Sequence, residues 1–332
     1  PGTNHPRMLI ALEKCKKNGG KIINVNPIPE AGTNAFIDPQ NPLAIIKGGS
    51  QLTDQYLQVK VNGDVALLKA VMMLLLEAEK KNPGQVFDLD FIIEKTEGYD
   101  ELIAQLEIMD FDAVVAASGV PETKIRALAD LLAQKKKIII CWAMGLTQHE
   151  NGVDNIREIV NLLLLKGSIG KPGAGTCPVR GHSNVQGDRT MGIWEKPKEA
   201  FLKKLDANFG IEAPRVHGYD TVEAIEAMHA GKVKVFFAMG GNFISATPDS
   251  QLTGEAMQNC ELTVQVSTKL NRSHLVTGQE ALILPCISRS EEDIQNGNQQ
   301  FLTVENSMGV VHKTEGRFKP ASSQLMRTGR FE

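Results

Sequence analysis

Several familiar chemistries are missing from this 332-residue sequence. Its five cysteines, Cys15, Cys141, Cys177, Cys260 and Cys286, are scattered and form no C-x-x-C pair. That argues against an iron–sulfur or zinc site held within the chain and for reduced, mostly buried thiols. The longest run of large apolar residues, Val71 to Leu76, falls far short of a bilayer span. A net charge of −3 offers no general surface for nucleic acid or anionic membranes. No secretory leader is visible, and the chain opens PGTNHPRML as though entered within a loop. The expected setting is the cytoplasm, a reducing compartment. Gly173 and Gly175 begin a G-x-G, but Pro178 stands in the third position and no strand is read ahead of it. There is no Walker sequence and no nucleophile elbow. The seven histidines include no pair at metal-ligand spacing on a helix, and no residue is read as a metal ligand.

What remains is an ordinary globular composition, 42% apolar and 23% charged, long enough for two domains with cores of their own. Short apolar runs alternate with helical patterns. KIINV (residues 21–25) and residues 56–61 read as strands, followed by an apolar helix over 65–80. A helix opens at Pro121 and runs to Gln134, strand KIIICW ends at Trp142, and a leucine-rich helix covers 153–166. Weaker helical patterns cover residues 91–96 and 101–109, and residues 194–209 are amphipathic. A second alternating set begins near Thr221, with strands over 233–239, 262–266 and 281–284 and a late hairpin over 301–312. Such alternation predicts parallel α/β layers.

In open parallel sheets, ligands bind outside the carboxyl ends of the strands. Five turns lie at such ends: Asn26-Pro27, Asn62-Gly63-Asp64, Met144 to Gln148, Gly240 to Asn242, and Ser267 to Lys269. Between the two sets lies Gly167 to Gly187, GSIGKPGAGTCPVRGHSNVQG, with six of the thirty glycines and one arginine, Arg180. That glycine density lets backbone approach a large ligand, and Arg180 adds a fixed charge with five donors. Residues and spacing alone lead to a two-domain α/β protein with a polar, glycine-lined cleft, and no further.

The stretch from Cys141 to Gly192 resembles the molybdopterin-guanine-dinucleotide oxidoreductases, and within them the formate-dehydrogenase-like alpha subunits. The matching pieces are Met144-Gly145 with Gln148, Gly167 to Pro172, and PVRGHSNVQG at Pro178 to Gly187. NHP at Asn4 to Pro6, KTEG at Lys95 to Gly98, MGGN at Met239 to Asn242 and ILP at Ile283 to Pro285 extend the match to nearly the whole chain. The resemblance implies two Rossmann-like three-layer α/β domains with mainly parallel sheets, of the formate dehydrogenase and dimethyl sulfoxide reductase type. They would cover residues 1–182 and 183–332.

The resemblance further implies a molybdenum bis(molybdopterin guanine dinucleotide) cofactor, one dinucleotide per domain. Gly2, Thr3, Asn4, Asn26, Pro27, Gly63, Asp64, Met144, Gln148 and Gly181 match cofactor-contacting segments of the first domain. Asn242, Ser267 and Thr268 match those of the second. Arg180 matches the arginine that orients an anionic, formate-like substrate, and His182 stands where formate dehydrogenases carry glutamine. Any molybdenum ligand and any [4Fe-4S] cluster would belong to sequence preceding this chain, so its expected partners include the rest of its own polypeptide and an electron-transfer subunit. A piece of this kind alone is expected to be inactive. Asn26-Pro27-Ile28 replaces the usual Asp-Pro-Arg, and Thr268 to Leu284 is longer than in formate dehydrogenases; both resemble a divergent branch, some of whose members are associated with acid resistance. A non-catalytic nucleotide-binding or assembly module and a thiamine-type α/β enzyme are the competing readings.

Overall fold

A computed structural model describes residues 6–34, 36–37 and 51–327. The chain divides into two compact units, Pro1–Gly181 and His182–Glu332.

The first unit contains α1 (Pro6–Lys17), β1 (Ile23–Val25), α2 (Ala31–Asn34), β2 (Gln55–Leu57), α3 (Asp64–Lys81), α4 (Leu89–Lys95), α5 (Tyr99–Glu107), α6 (Phe111–Ser118), α7 (Glu122–Gln134), β3 (Ile139–Trp142), α8 (Met144–Thr147), α9 (Gly152–Leu165) and β4 (Gly175–Pro178). Its strands form two parallel pairs, β1 with β2 and β3 with β4, with Cys141 opposite Cys177 in the second. The core is built around α3. Ala70, Val71 and Met72 are consecutive and all fully buried, so this helix is apolar around its circumference rather than along one stripe. It packs against α6, α7 and α9. Aspartates start two of the surrounding helices: Asp88 accepts from Phe91 N and Asp110 from Ala113 N, which satisfies donors the helix itself leaves unpaired. Gly119, at φ 73°, ends α6 in the left-handed conformation that glycine adopts without penalty. A second cluster, Ile138, Ile159 and Leu163 with Ile140 and Trp142, seats α9 on β3.

The second unit contains α10 (Val185–Thr190), α11 (Glu199–Phe209), α12 (Thr221–His229), β5 (Val235–Met239), α13 (Phe243–Ala246), α14 (Ser250–Gln258), β6 (Leu262–Ser267), a 3-10 turn (Arg272–Leu275), β7 (Glu280–Pro285) and two antiparallel hairpins, β8–β9 (Ile294–Gln295, Asn298–Gln299) and β10–β11 (Leu302–Glu305, Val311–Thr314). β5, β6 and β7 form a parallel sheet in that order, so β6 is central, and Thr263 through Ser267 are buried along it. Helices α12 and α14 cover one face through Ile225, Met228, Ala256 and Cys260 packed with Phe236. α12 begins with a reciprocal capping box between Asp220 and Glu223.

The mixed α/β class with mainly parallel sheets agrees with the sequence expectation. Two local expectations do not hold. The strand read over 56–61 pairs only to Leu57, because beyond it Lys60 N bonds to Ser118 O instead of continuing a ladder. The glycine-rich stretch 167–187, read as a loop, contains strand β4 and the start of helix α10, and the amphipathic stretch 194–209 forms a helix over Glu199–Phe209. Among the described residues no helix is long and apolar enough to cross a membrane.

Candidate cofactor site

In the first unit, parallel pairing aligns the strand ends. β1 runs into Asn26-Pro27, where Asn26 N donates to Leu57 O at 3.1 Å and the Asn26 side-chain oxygen accepts from Ile28 N at 3.0 Å. Two side chains, from β2 and the residue after it, hold this turn: Tyr56 Oη donates to Asn26 O at 2.7 Å and Gln58 Nε2 to Pro27 O at 2.9 Å. Proline at 27 removes one backbone donor, and these two carbonyls are satisfied from outside the ladder.

Gly63 and Asp64 form the turn into α3. Gly63 N donates to Lys60 O at 2.8 Å, and Asn62 before it adopts φ 65°. Burial pushes the Asp64 carboxyl above the usual range, and the charge of His149 works against that shift. Asp64 is therefore within electrostatic reach of His149. His149 lies just past Gln148. Asn155 Nδ2 approaches its Nδ1 at 3.1 Å and donates to Leu146 O at 3.1 Å, so α9 holds the Met144–Gln148 segment in place.

β4 lies beside β3, and Val179 N donates to Trp142 O at 2.7 Å. Arg180 and Gly181 thus leave the sheet next to Ala143 and Met144. A Cβ at Gly181 would meet the Met144 sulfur, so the Met144 side chain packs directly over the Gly181 backbone. Arg180 is half-buried. The structure brings Met144, Arg180 and Gly181 side by side at the exits of β3 and β4, while Gly63 and Asp64 lie at the start of α3, with Asp64 within electrostatic reach of His149. Gly2, Thr3 and Asn4 lie outside the described residues. His182 is the first residue of the second unit and is exposed.

In the second unit the turn after β5 is Gly240-Gly241-Asn242. Both glycines adopt positive φ, 74° and 75°, and a Cβ on either would meet nothing within 4 Å. The turn is therefore sterically open where those side chains would lie. Gly240 N is held by Val266 O at 2.7 Å. Ser267 is buried at the end of β6, with its carbonyl accepting from Cys286 N at 3.1 Å, and Thr268 after it is exposed. Sequence reasoning missed the residues that support this turn, Asn271 and Ser273. The signal was present: N-R-S-H has the spacing of a capping box, with histidine in place of the usual acid.

The molybdopterin oxidoreductase family signature matches residues 33–276. The chain belongs to the molybdopterin oxidoreductase family. An uncharacterized oxidoreductase of Mycobacterium tuberculosis is 53% identical over 325 residues, covering 98% of this chain and 42% of the relative. Protein YdeP of Escherichia coli is 44% identical over 330 residues, 98% of this chain and 44% of the relative. Formate dehydrogenase H of Escherichia coli is 27% identical over 302 residues, 88% of this chain and 39% of that enzyme. This molybdopterin oxidoreductase chain thus spans less than half the length of these relatives. Among solved structures, acetylene hydratase from Pelobacter acetylenicus shares the fold with a TM-score of 0.61 at 17% identity, over 100% of this chain and 44% of that one.

Proposed function

We propose that this chain is the central cofactor-holding region of a molybdenum oxidoreductase, with one molybdopterin guanine dinucleotide seated on the strand-end turns of each unit. The observation that supports the reading is the adjacency in the first unit of Met144, Arg180 and Gly181 at the exits of the parallel strands β3 and β4, where α/β sheets bind nucleotides. The second unit supports it with an open double-glycine turn at the carboxyl end of β5.

These residues fit such a group. Gly181, Gly240 and Gly241 keep side chains out of the approach, while Asn26, Gln148 and Asn242 supply amides for phosphate, ribose or base. The bound metal centre would supply two-electron oxidation or reduction of a small substrate. The chain's own part is binding, orientation and electrostatics. Arg180 is assigned to orient an anionic substrate, since a guanidinium fork matches a carboxylate with two parallel hydrogen bonds. His182 is assigned beside it. The metal's protein ligand, any iron–sulfur cluster and the electron-transfer partner are assigned to parts of the polypeptide or assembly outside this chain, and the chain alone is expected to be inactive.

The test is the metal and pterin content of the full-length protein, with kinetics of Arg180→Lys. About one molybdenum per polypeptide is expected, with turnover reduced far more than loading in the variant. A metal-free, pterin-free protein would instead favour a non-catalytic nucleotide-binding or assembly module. Equal loss of turnover and loading would make Arg180 a cofactor ligand rather than a substrate one.

A further inference from the structure

Between β6 and β7 the chain folds back onto the Gly240–Asn242 turn. Asn271 opens the 3-10 turn Arg272–Leu275 and uses every polar group of its side chain. Its Oδ1 accepts from Ser273 N at 2.9 Å, and its Nδ2 donates to Gly241 O at 2.7 Å. Its backbone N–H donates to Nδ1 of the buried His274 at 3.0 Å, closing a capping box. Ser273 is only 3% exposed. Its hydroxyl donates to Asn242 Oδ1 at 3.0 Å and accepts from Ile244 N at 3.0 Å. Its carbonyl in turn accepts from Nε2 of the buried Gln265, on the central strand, at 2.9 Å.

The consequence is directional. An asparagine amide has one oxygen acceptor and one nitrogen with two donors. With its oxygen engaged by Ser273, Asn242 has its two N–H donors left over. Among the described residues, the backbone N–H groups of Gly241 and Asn242 have no intramolecular acceptor either. The turn is therefore a group of donors beside two glycines that add no side-chain bulk.

We infer that Asn271 and Ser273 are positioning residues that set Asn242 as a hydrogen-bond donor, so that the second unit's turn selects an acceptor-rich, phosphate-bearing ligand group. This rests on the cofactor reading above for the identity of the ligand, the dinucleotide. Neither positioning residue touches the ligand in this scheme; they act through Asn242.

The experiment uses full-length protein purified as wild type, Asn242→Asp, Ser273→Ala and the double variant. Guanine nucleotide released by acid, molybdenum per chain and the melting temperature are measured for each. Aspartate is isosteric and still accepts from Ser273, but it turns a charged acceptor toward the ligand. Nucleotide retention is expected to fall about tenfold or more in Asn242→Asp, the equivalent of one lost hydrogen bond, with the melting temperature little changed. Ser273→Ala should lower retention on its own yet add little further loss to Asn242→Asp, because a positioning residue has nothing left to position. Retention in Asn242→Asp equal to wild type overturns the inference, since it means the oxygen faces the ligand. Additive losses overturn the positioning role of Ser273. A wild-type protein without nucleotide or molybdenum overturns the cofactor reading itself, and with it the ligand assigned here.

Discussion

The α-carbon of Gly63 faces the carbonyl oxygen of Ser118 so closely that a Cβ would lie 2.7 Å from it. The carbonyls of Lys60 and Ala117, at 3.1 and 3.2 Å, close the remaining space. All three obstacles are backbone, and Lys60 and Ser118 are themselves joined by a hydrogen bond of 2.9 Å. The entry of α3 is thus fitted to the end of α6 with no room for a side chain.

Gly63→Ala should therefore destabilise the protein by about 1–3 kcal/mol, the usual cost of overpacking. The neighbouring Asn62→Gly, which relieves a positive φ, should not be destabilising to this degree. Chemical denaturation of the two variants against wild type checks this; an alanine at 63 that is neutral contradicts the close approach.

Lys69 on α3 and Glu158 on α9 form a buried ion pair at 2.9 Å, with side chains 9% and 11% exposed. Gln105 Oε1 takes a second Lys69 proton at 2.9 Å, and Asn161 Nδ2 donates to the other Glu158 oxygen. Removing one partner strands a buried charge, so Glu158→Ala should cost about 3–5 kcal/mol. Replacing both, as Lys69→Met with Glu158→Leu, should cost much less than the sum of the single changes. A double-mutant cycle on denaturation free energies measures the difference, and simple additivity would show that the pair is not coupled.

Lys166 is 4% exposed and donates to the carbonyls of Val86 and Ala133. Burial pushes its ammonium down to about 8 from an ordinary 10.5, opposed by Glu79 and reinforced by Lys136 and Lys171. The unfolded chain then holds more protons than the folded one between these two values. Stability should rise with pH across that window and be flat below it, as far as this residue is concerned. Relative to Lys166→Met, wild type should gain on the order of 3 kcal/mol as pH climbs from about 8 to about 10.5. Denaturation curves for both proteins across the range would reveal a constant gap if the ammonium were unperturbed.

Cys141 and Cys177 are opposite each other on β3 and β4. Cys141 is exposed rather than buried, but the protein atoms packed about its sulfur, the proximity of a Cys177 thiolate and a hydrogen bond to Cys177 push the thiol up to about 11. Only the thiolate alkylates, so Cys141 should label slowly with iodoacetamide near neutral pH. Cys177→Ala removes the second and third causes and should shift the rate profile of Cys141 to lower pH. Site-resolved mass spectrometry over a pH series reads this directly; an unchanged profile would leave desolvation by neighbouring protein atoms as the sole cause.

Much of the fold was legible in particular stretches. The leucine-rich helix expected over 153–166 is Gly152–Leu165, and the helix expected from Pro121 runs Glu122–Gln134. The strand ending at Trp142 and the late hairpin are also present. These segments carry strong periodicity or a terminating residue of their own. Residues 58–61 looked like more strand because they are apolar or β-compatible, yet Lys60 bonds to the distant Ser118. β4 was hidden in a glycine loop, since G-T-C-P becomes a strand only where β3 offers it an edge.

Residue order by itself determined the alternation of strands and helices, the position of the strand-end turns and the family resemblance, because each depends on local periodicity or on an ordered motif. It did not determine which way Asn242 faces, why Gly63 must be glycine, or that Asn271 and Ser273 support a turn about 30 residues earlier. Those depend on hydrogen bonds and steric approaches between segments far apart in the chain, which exist only once the parallel strands have been brought side by side.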